Sequence, residues 1–213
     1  MSAIELSTTL LTASAPIRNE PVQARSTARL AALLDSAAAV IDEIGYERLT
    51  TAMVADRAGA SIGTVYRYFP DRIAVLQSLS ARNSERLLAR LADALAADGH
   101  ATATDALLAV LDVTVDLFRS EPGYRSLRVG DVLDLLPPSA DETANGVVAR
   151  AVADALARRY ALSLGDSDRL AISTALEIID ALVARAFARH GDGDPILLDE
   201  ARRVVRATVA GVL

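Results

Sequence analysis

The 213-residue chain contains no cysteine, no tryptophan and no lysine, so all 22 of its basic side chains are arginine. Without cysteine there is no disulfide framework, no thiolate metal site and no cysteine nucleophile. Histidine occurs twice, at His100 and His190, each beside a glycine at an expected helix end. Two such residues without a cysteine do not make a zinc site. A glycine-rich phosphate loop and a serine elbow are both missing. The sequence therefore predicts no catalytic residue, no metal and no cofactor. No charge-free apolar run reaches the roughly 18 residues a membrane span needs, and no alternating stretch with a hairpin signal points to strands. Residues 1–24 lack a secretory pattern, because Glu5 stands where a cationic region belongs and the apolar run is short. They read as a flexible N-terminal arm on a cytoplasmic protein without a membrane partner.

What is present is helix. Ala, Leu, Arg, Asp and Glu dominate, and apolar residues recur at three and four. The expected fold is all-α, with helices over 25–44, 50–58, 61–68, 71–97, 103–119, 124–135, 142–162, 167–189 and 195–211. Glycine- or proline-containing breaks separate them. A length of this order buries a core without covalent staples.

The net charge of −6 argues at first against a nucleic-acid partner. Divided along the chain, the charge tells a different story. Residues 1–90 hold ten arginines against nine acids, and residues 91–213 hold twelve against nineteen. The acidity belongs to the later part and leaves a near-neutral head.

Within that head, residues 45–72 carry the most information. Thr50 and Ser61 are placed to cap two short helices. Gly59 sits in the tight turn between them, where a left-handed conformation is needed. This is the pattern of a helix-turn-helix. Val54, Ala55 and Ala58 are spaced to pack on Val65 and Phe69. At 100° per residue from Val65, Gly63 and Arg67 point outward, flanked by Thr64 and Tyr66. A major groove suits this set. Arg67 matches a bidentate pair to guanine, and Ile62 matches a thymine methyl. Gly63 admits close backbone approach. Thr64, Tyr66 and Tyr68 offer hydroxyls to phosphates, as does Thr50 at the start of the first short helix. Ser61 and the free N–H groups beside it make an anion site, and Arg72 places a cation at the start of the long helix.

Over residues 29–76 the chain resembles the DNA-binding domain of the TetR (tetracycline-repressor) family of bacterial regulators. The resemblance is carried by Arg29, Ala37-Ala38, Gly45-Tyr46, Thr50, Val54-Ala55, Ala58-Gly59-Ala60-Ser61, Gly63-Thr64, Tyr66, Tyr68-Phe69, Arg72 and Leu76. Ala60, Ile62, Arg72 and Ile41 depart from the family's usual residues. The resemblance implies an all-α homodimer whose N-terminal three-helix domain, residues 25–72, binds a palindromic operator. It also implies that residues 73–213 supply a small-molecule effector pocket and the dimer interface. On that reading the protein is a repressor released by its effector.

Two residue sets follow for the later part. Asp112, Thr114, Phe118, Tyr124, Leu127 and Arg128 are candidate pocket residues, with Asp112 or Asp116 set to face a cationic ligand; the alternative is an aliphatic or acyl ligand, with Arg128 a partner for a carboxylate. Val152, Leu156, Leu176, Ile179, Val183 and Phe187 form apolar stripes suited to a four-helix dimer seam. Two alternatives are an all-helical enzyme built on paired carboxylates and a helical interaction protein with no DNA role.

Overall fold

A computed structural model describes residues 24–127 and 144–213. Eight α-helices make up the described chain, without strands: α1 (Ala24–Ile44), α2 (Thr51–Arg57), α3 (Ile62–Tyr68), α4 (Arg72–Ala96), α5 (Ala103–Ser120), α6 (Ala144–Tyr160), α7 (Asp166–Phe187) and α8 (Pro195–Thr208). The expected all-α fold is what the chain adopts. A single 3-10 turn at Tyr46–Arg48, which the periodicity does not signal, bridges α1 and α2. None of the described helices is long and apolar enough to cross a membrane.

Local chemistry sets the ends of these helices. Gly45 leaves α1 at φ +82°, a conformation that side chains oppose. Asp71 accepts from the Ala74 N–H at 2.8 Å and so caps α4 just after Pro70. At α8 the proline stands in the first turn, where its missing N–H costs nothing, and Asp194 accepts from Ile196 N–H at 3.0 Å.

The chain divides into two compact units. The first, a head, comprises α1 to α3, α4 as far as Glu85, and the returning turn at 121–127. Its core is Leu33, Ala37 and Ile41 of α1, Leu49, Val54, Val65 and Phe69, joined by Leu76 and Leu79 of α4 and by Leu127. The unit thus extends past the expected limit at residue 72, because the first turns of α4 complete its core. Residues 124–127 form turns rather than the start of the expected 124–135 helix. Tyr124 N–H donates to Glu121 O, while Ser126 and Leu127 N–H both donate to Gly123 O. The remainder of that expected helix, with Arg128, lies outside the described residues, as does the N-terminal arm except for Ala24. Three observations tie this turn into the head. Gly123 N–H donates to Asp42 Oδ1 at 3.0 Å. Asn83, almost fully buried, donates from Nδ2 to Leu127 O at 3.0 Å. Finally, a Cβ on Gly123 would stand 2.8 Å from Ala38 O.

The second unit, a body, comprises α4 from Arg86, then α5 to α8. α5 packs on α6, α7 and α8, and α7 lies along α8. Leu107, Leu111, Leu117, Leu156, Ile172, Val183 and Val205 are among its fully covered side chains. The stripes proposed as a dimer seam are used here instead. Val152, Leu156, Leu176, Ile179, Val183 and Phe187 are all buried within the protomer, with Phe187 on Phe118 at a centroid distance of 5.2 Å. A helical stripe of this width serves whichever surface reaches it first.

The described residues of the proposed pocket fall in both units. Asp112 is exposed and pairs with Arg202, and Asp116 pairs with Arg90 at 2.6 Å. Neither faces a cationic ligand in an interior. Thr114 returns its hydroxyl to Val110 O at 2.8 Å. Phe118 is body core, whereas Tyr124 and Leu127 are buried in the head. His100 Nε2 lies 3.0 Å from Ala94 O and His190 is exposed. Among the described residues no group of three or more His, Asp or Glu is placed to hold a metal.

Candidate nucleic-acid interface

The turn between α2 and α3 follows from its glycine. Ala60 N–H donates to Ala55 O at 2.9 Å and Gly59 N–H donates to Asp56 O at 3.1 Å. With Gly59 at φ +56°, these bonds make a Schellman motif, which closes α2 and turns the chain sharply. A Cβ at Gly59 would meet nothing within 4 Å, so the requirement there is conformational rather than steric.

Both helix starts are capped by the expected hydroxyls. Thr50 Oγ1 accepts from Met53 N–H at 3.2 Å, and Ser61 Oγ accepts from Thr64 N–H at 3.2 Å. Ser61 Oγ also lies 3.0 Å from Thr64 Oγ1. Ser61→Ala is expected to cost about 0.5–2 kcal/mol and Ser61→Gly only a few tenths. Urea unfolding of both variants checks this, and equal losses would show that the cap is not what Ser61 contributes.

α3 sits on α2 through Val65, with Val54 and Ala55 beneath it. The face left uncovered is Ile62, Gly63, Tyr66 and Arg67, all exposed, with Thr64 half-buried beside them. Ile62 and Tyr66, at 42% and 43% exposure, stay uncovered despite being large and apolar in part. Thr51 Oγ1 lies 3.4 Å from the Tyr66 hydroxyl, so α2 orients that group. Met53 on α2 is exposed too. Sequence reasoning passed over Thr51 and Met53, although both fall in the first turn of the helix whose cap, Thr50, is read as a phosphate contact. Arg67 has no acidic partner among the described residues, nor does Arg48 at the end of the 3-10 turn.

Two expected contact residues are placed differently. Tyr68 is 5% exposed and its hydroxyl is 3.1 Å from Ser26 Oγ, so it belongs to the core and to α1. Arg72 donates from Nη1 to Glu47 O at 2.5 Å, bracing the 3-10 turn. Arg57 is likewise engaged, by Glu43 at 2.6 Å, which ties α2 to α1. The hydrogen bond from Arg57 holds the Glu43 carboxyl below the usual glutamate range. What this exposed pair adds is present above the ordinary glutamate pKa and lost as pH falls through the lowered one.

Residues 33–79 match the family model described as bacterial regulatory proteins, tetR family, and residues 101–210 match tetracyclin repressor-like, C-terminal domain. A TetR-family transcriptional regulator from Streptomyces coelicolor is 33% identical in sequence. Its crystal structure aligns over 87% of this chain and 99% of that one, with a TM-score of 0.69. The HTH-type transcriptional repressor KstR of Mycolicibacterium smegmatis is 39% identical over 67 residues, or 32% of this chain. This chain spans about a third (33%) of the length of that curated relative. The fatty acid degradation regulator FadR of Bacillus halodurans, 16% identical, shares the fold with a TM-score of 0.62 over 83% of this chain and 94% of its own.

Proposed function

Since this chain belongs to the tetR family of bacterial regulatory proteins, and is a DNA-binding transcriptional regulator rather than an enzyme, we propose that it is a repressor that binds a palindromic operator as a homodimer and is released by a small-molecule effector. The observation that carries the reading is the exposed α3 face of Ile62, Gly63, Tyr66 and Arg67. In a major groove, Arg67 reads guanine and Ile62 packs on a thymine methyl. Gly63 lets the backbone close in. Thr50, Ser61, Thr64 and Tyr66 meet phosphates and fix the register. Tyr68 and Arg72 support this surface from behind and contact no base.

Two heads in one dimer would meet half-sites about 34–36 Å apart, or a multiple of it. Leu170 on α7 and Ile196 on α8, 67% and 78% exposed, are the large apolar side chains left free for a seam among the described residues of the body. Helix α4 contributes Leu76 and Leu79 to the head core and continues into the body. An effector that shifts α4 would change head spacing, with a coupling of about 1–3 kcal/mol. Such a regulator works in the bacterial cytoplasm, where the operator is.

Arg67→Ala is expected to weaken operator binding by about 1–3 kcal/mol and to relax sequence preference at one position. Tyr66→Phe weakens all sequences alike, because it removes a phosphate contact. Mobility shifts titrated with salt, on operator and on scrambled DNA, separate the two effects. Wild-type behaviour in both variants would refute the assignment of this face.

A further inference from the structure

An open groove of about 340 Å³ runs between α4 and α6 within the body. This is at the small end of ligand sites, which run from roughly 300 to 1,000 Å³. None of the described residues expected from sequence to form a pocket lines it. Leu88, Leu91 and Leu95 of α4 make one wall, and Val148, Val152 and Ala155 of α6 make the other. Both sets recur at three and four, so each helix turns one continuous apolar stripe into the groove. Its length along α4, from Leu88 to Ala96, is about 12 Å at 1.5 Å per residue. Among the described residues no aromatic ring and no acid lines it. That disfavours a planar stacking ligand and a cation.

The polar end is built from two consecutive arginines in different circumstances. Arg159 is spent on the fold. Its guanidinium donates to Ala96 O at 2.9 Å, Ala97 O at 2.7 Å and Leu95 O at 3.2 Å, and so caps the C-terminus of α4. It also stacks 5.7 Å from the Tyr160 ring centroid. Arg158 lines the same end, is exposed, and its guanidinium has no partner among the described residues. With Arg159 neutralising the end of α4, Arg158 is left as an unopposed cation at the end of an aliphatic slot.

We infer that this groove binds an aliphatic carboxylate, with the chain against Leu91, Leu95 and Val152 and the carboxylate on Arg158. The inference rests on the regulator reading and names its effector class. Octanoate is the probe, titrated calorimetrically into the full chain beside 1-octanol and octyltrimethylammonium. Octanoate is expected to saturate at one per protomer. Arg158→Gln should weaken it about tenfold and leave octanol unchanged, since only the charge-assisted bond is lost. Ala155→Phe, a substitution on the groove's rim, should weaken both by more than tenfold. Absence of saturable binding, equal affinity in Arg158→Gln, or equal affinity for the ammonium probe would each overturn the inference. Operator release is measured separately. Saturation without release would uphold the ligand class and refute only the regulatory reading.

Discussion

Replacing Phe69 by alanine is expected to remove about 3–5 kcal/mol from the head and to abolish operator binding with it. Phe69 is the largest fully covered side chain among the described residues, in a core shared by α1, α2, α3 and α4. It stands where α3 ends. Its N–H donates to Val65 O at 2.9 Å, after which the backbone turns extended towards Pro70. The ring therefore fills a space that no neighbouring helix can close without moving the turn as well. Domains carry only about 0.05–0.15 kcal/mol of stability per residue, so this loss is comparable to everything that holds the head folded. Thermal unfolding by circular dichroism measures it, with a shift assay on the same samples. A midpoint within a degree or two of wild type would mean that the head is organised around some other residue.

Gly123→Ala is expected to be the second most damaging change, although it adds only one methyl group. Two costs coincide at this position. At φ +73° an L side chain opposes its own carbonyl, worth about 1–2 kcal/mol. The new Cβ would also stand 2.8 Å from Ala38 O, inside van der Waals contact with backbone that belongs to α1 and cannot rotate away. Overpacking of this kind costs about 1–3 kcal/mol. Gly59→Ala provides the control, because it meets a similar conformational cost at φ +56° in open space. Urea midpoints for the pair separate the two costs. If both variants lose the same stability, the contact with α1 contributes nothing.

The difference between these two glycines marks how far the sequence could be read. Gly59 was legible because its reasons are local: a short helix, a cap three residues on and a tight turn. Gly123 was not, since the atom that demands it lies in Ala38, remote in the chain. The same division runs through the site. The caps at Thr50 and Ser61 follow from local patterns, and the exposure of Arg67 from a helical wheel. The burial of Tyr68 also has a local signal, since Val65, Tyr68 and Phe69 stand at i, i+3 and i+4 on one buried face. In the body, periodicity located the helices but not what covers each stripe. Leu156, Ile179 and Val183 have the spacing of a subunit seam and the burial of a core. Asp112 and Asp116 look like a ligand's partners until Arg202 and Arg90 arrive from other helices. The groove residues of α4 and α6 went unread because nothing in a sequence says that two apolar stripes will stand apart.

The returning turn has a consequence for the order in which the protein is made. Residues are added from the N-terminus, and domains fold as units as they emerge. The head's contiguous core ends at Leu79, yet Leu127 fills its last place and Asn83 waits for that residue's carbonyl. Until the ribosome has passed all of α5, α3 rests on an open core with a buried amide unpaired. The head is thus begun before the body and completed only after the body has started to take shape.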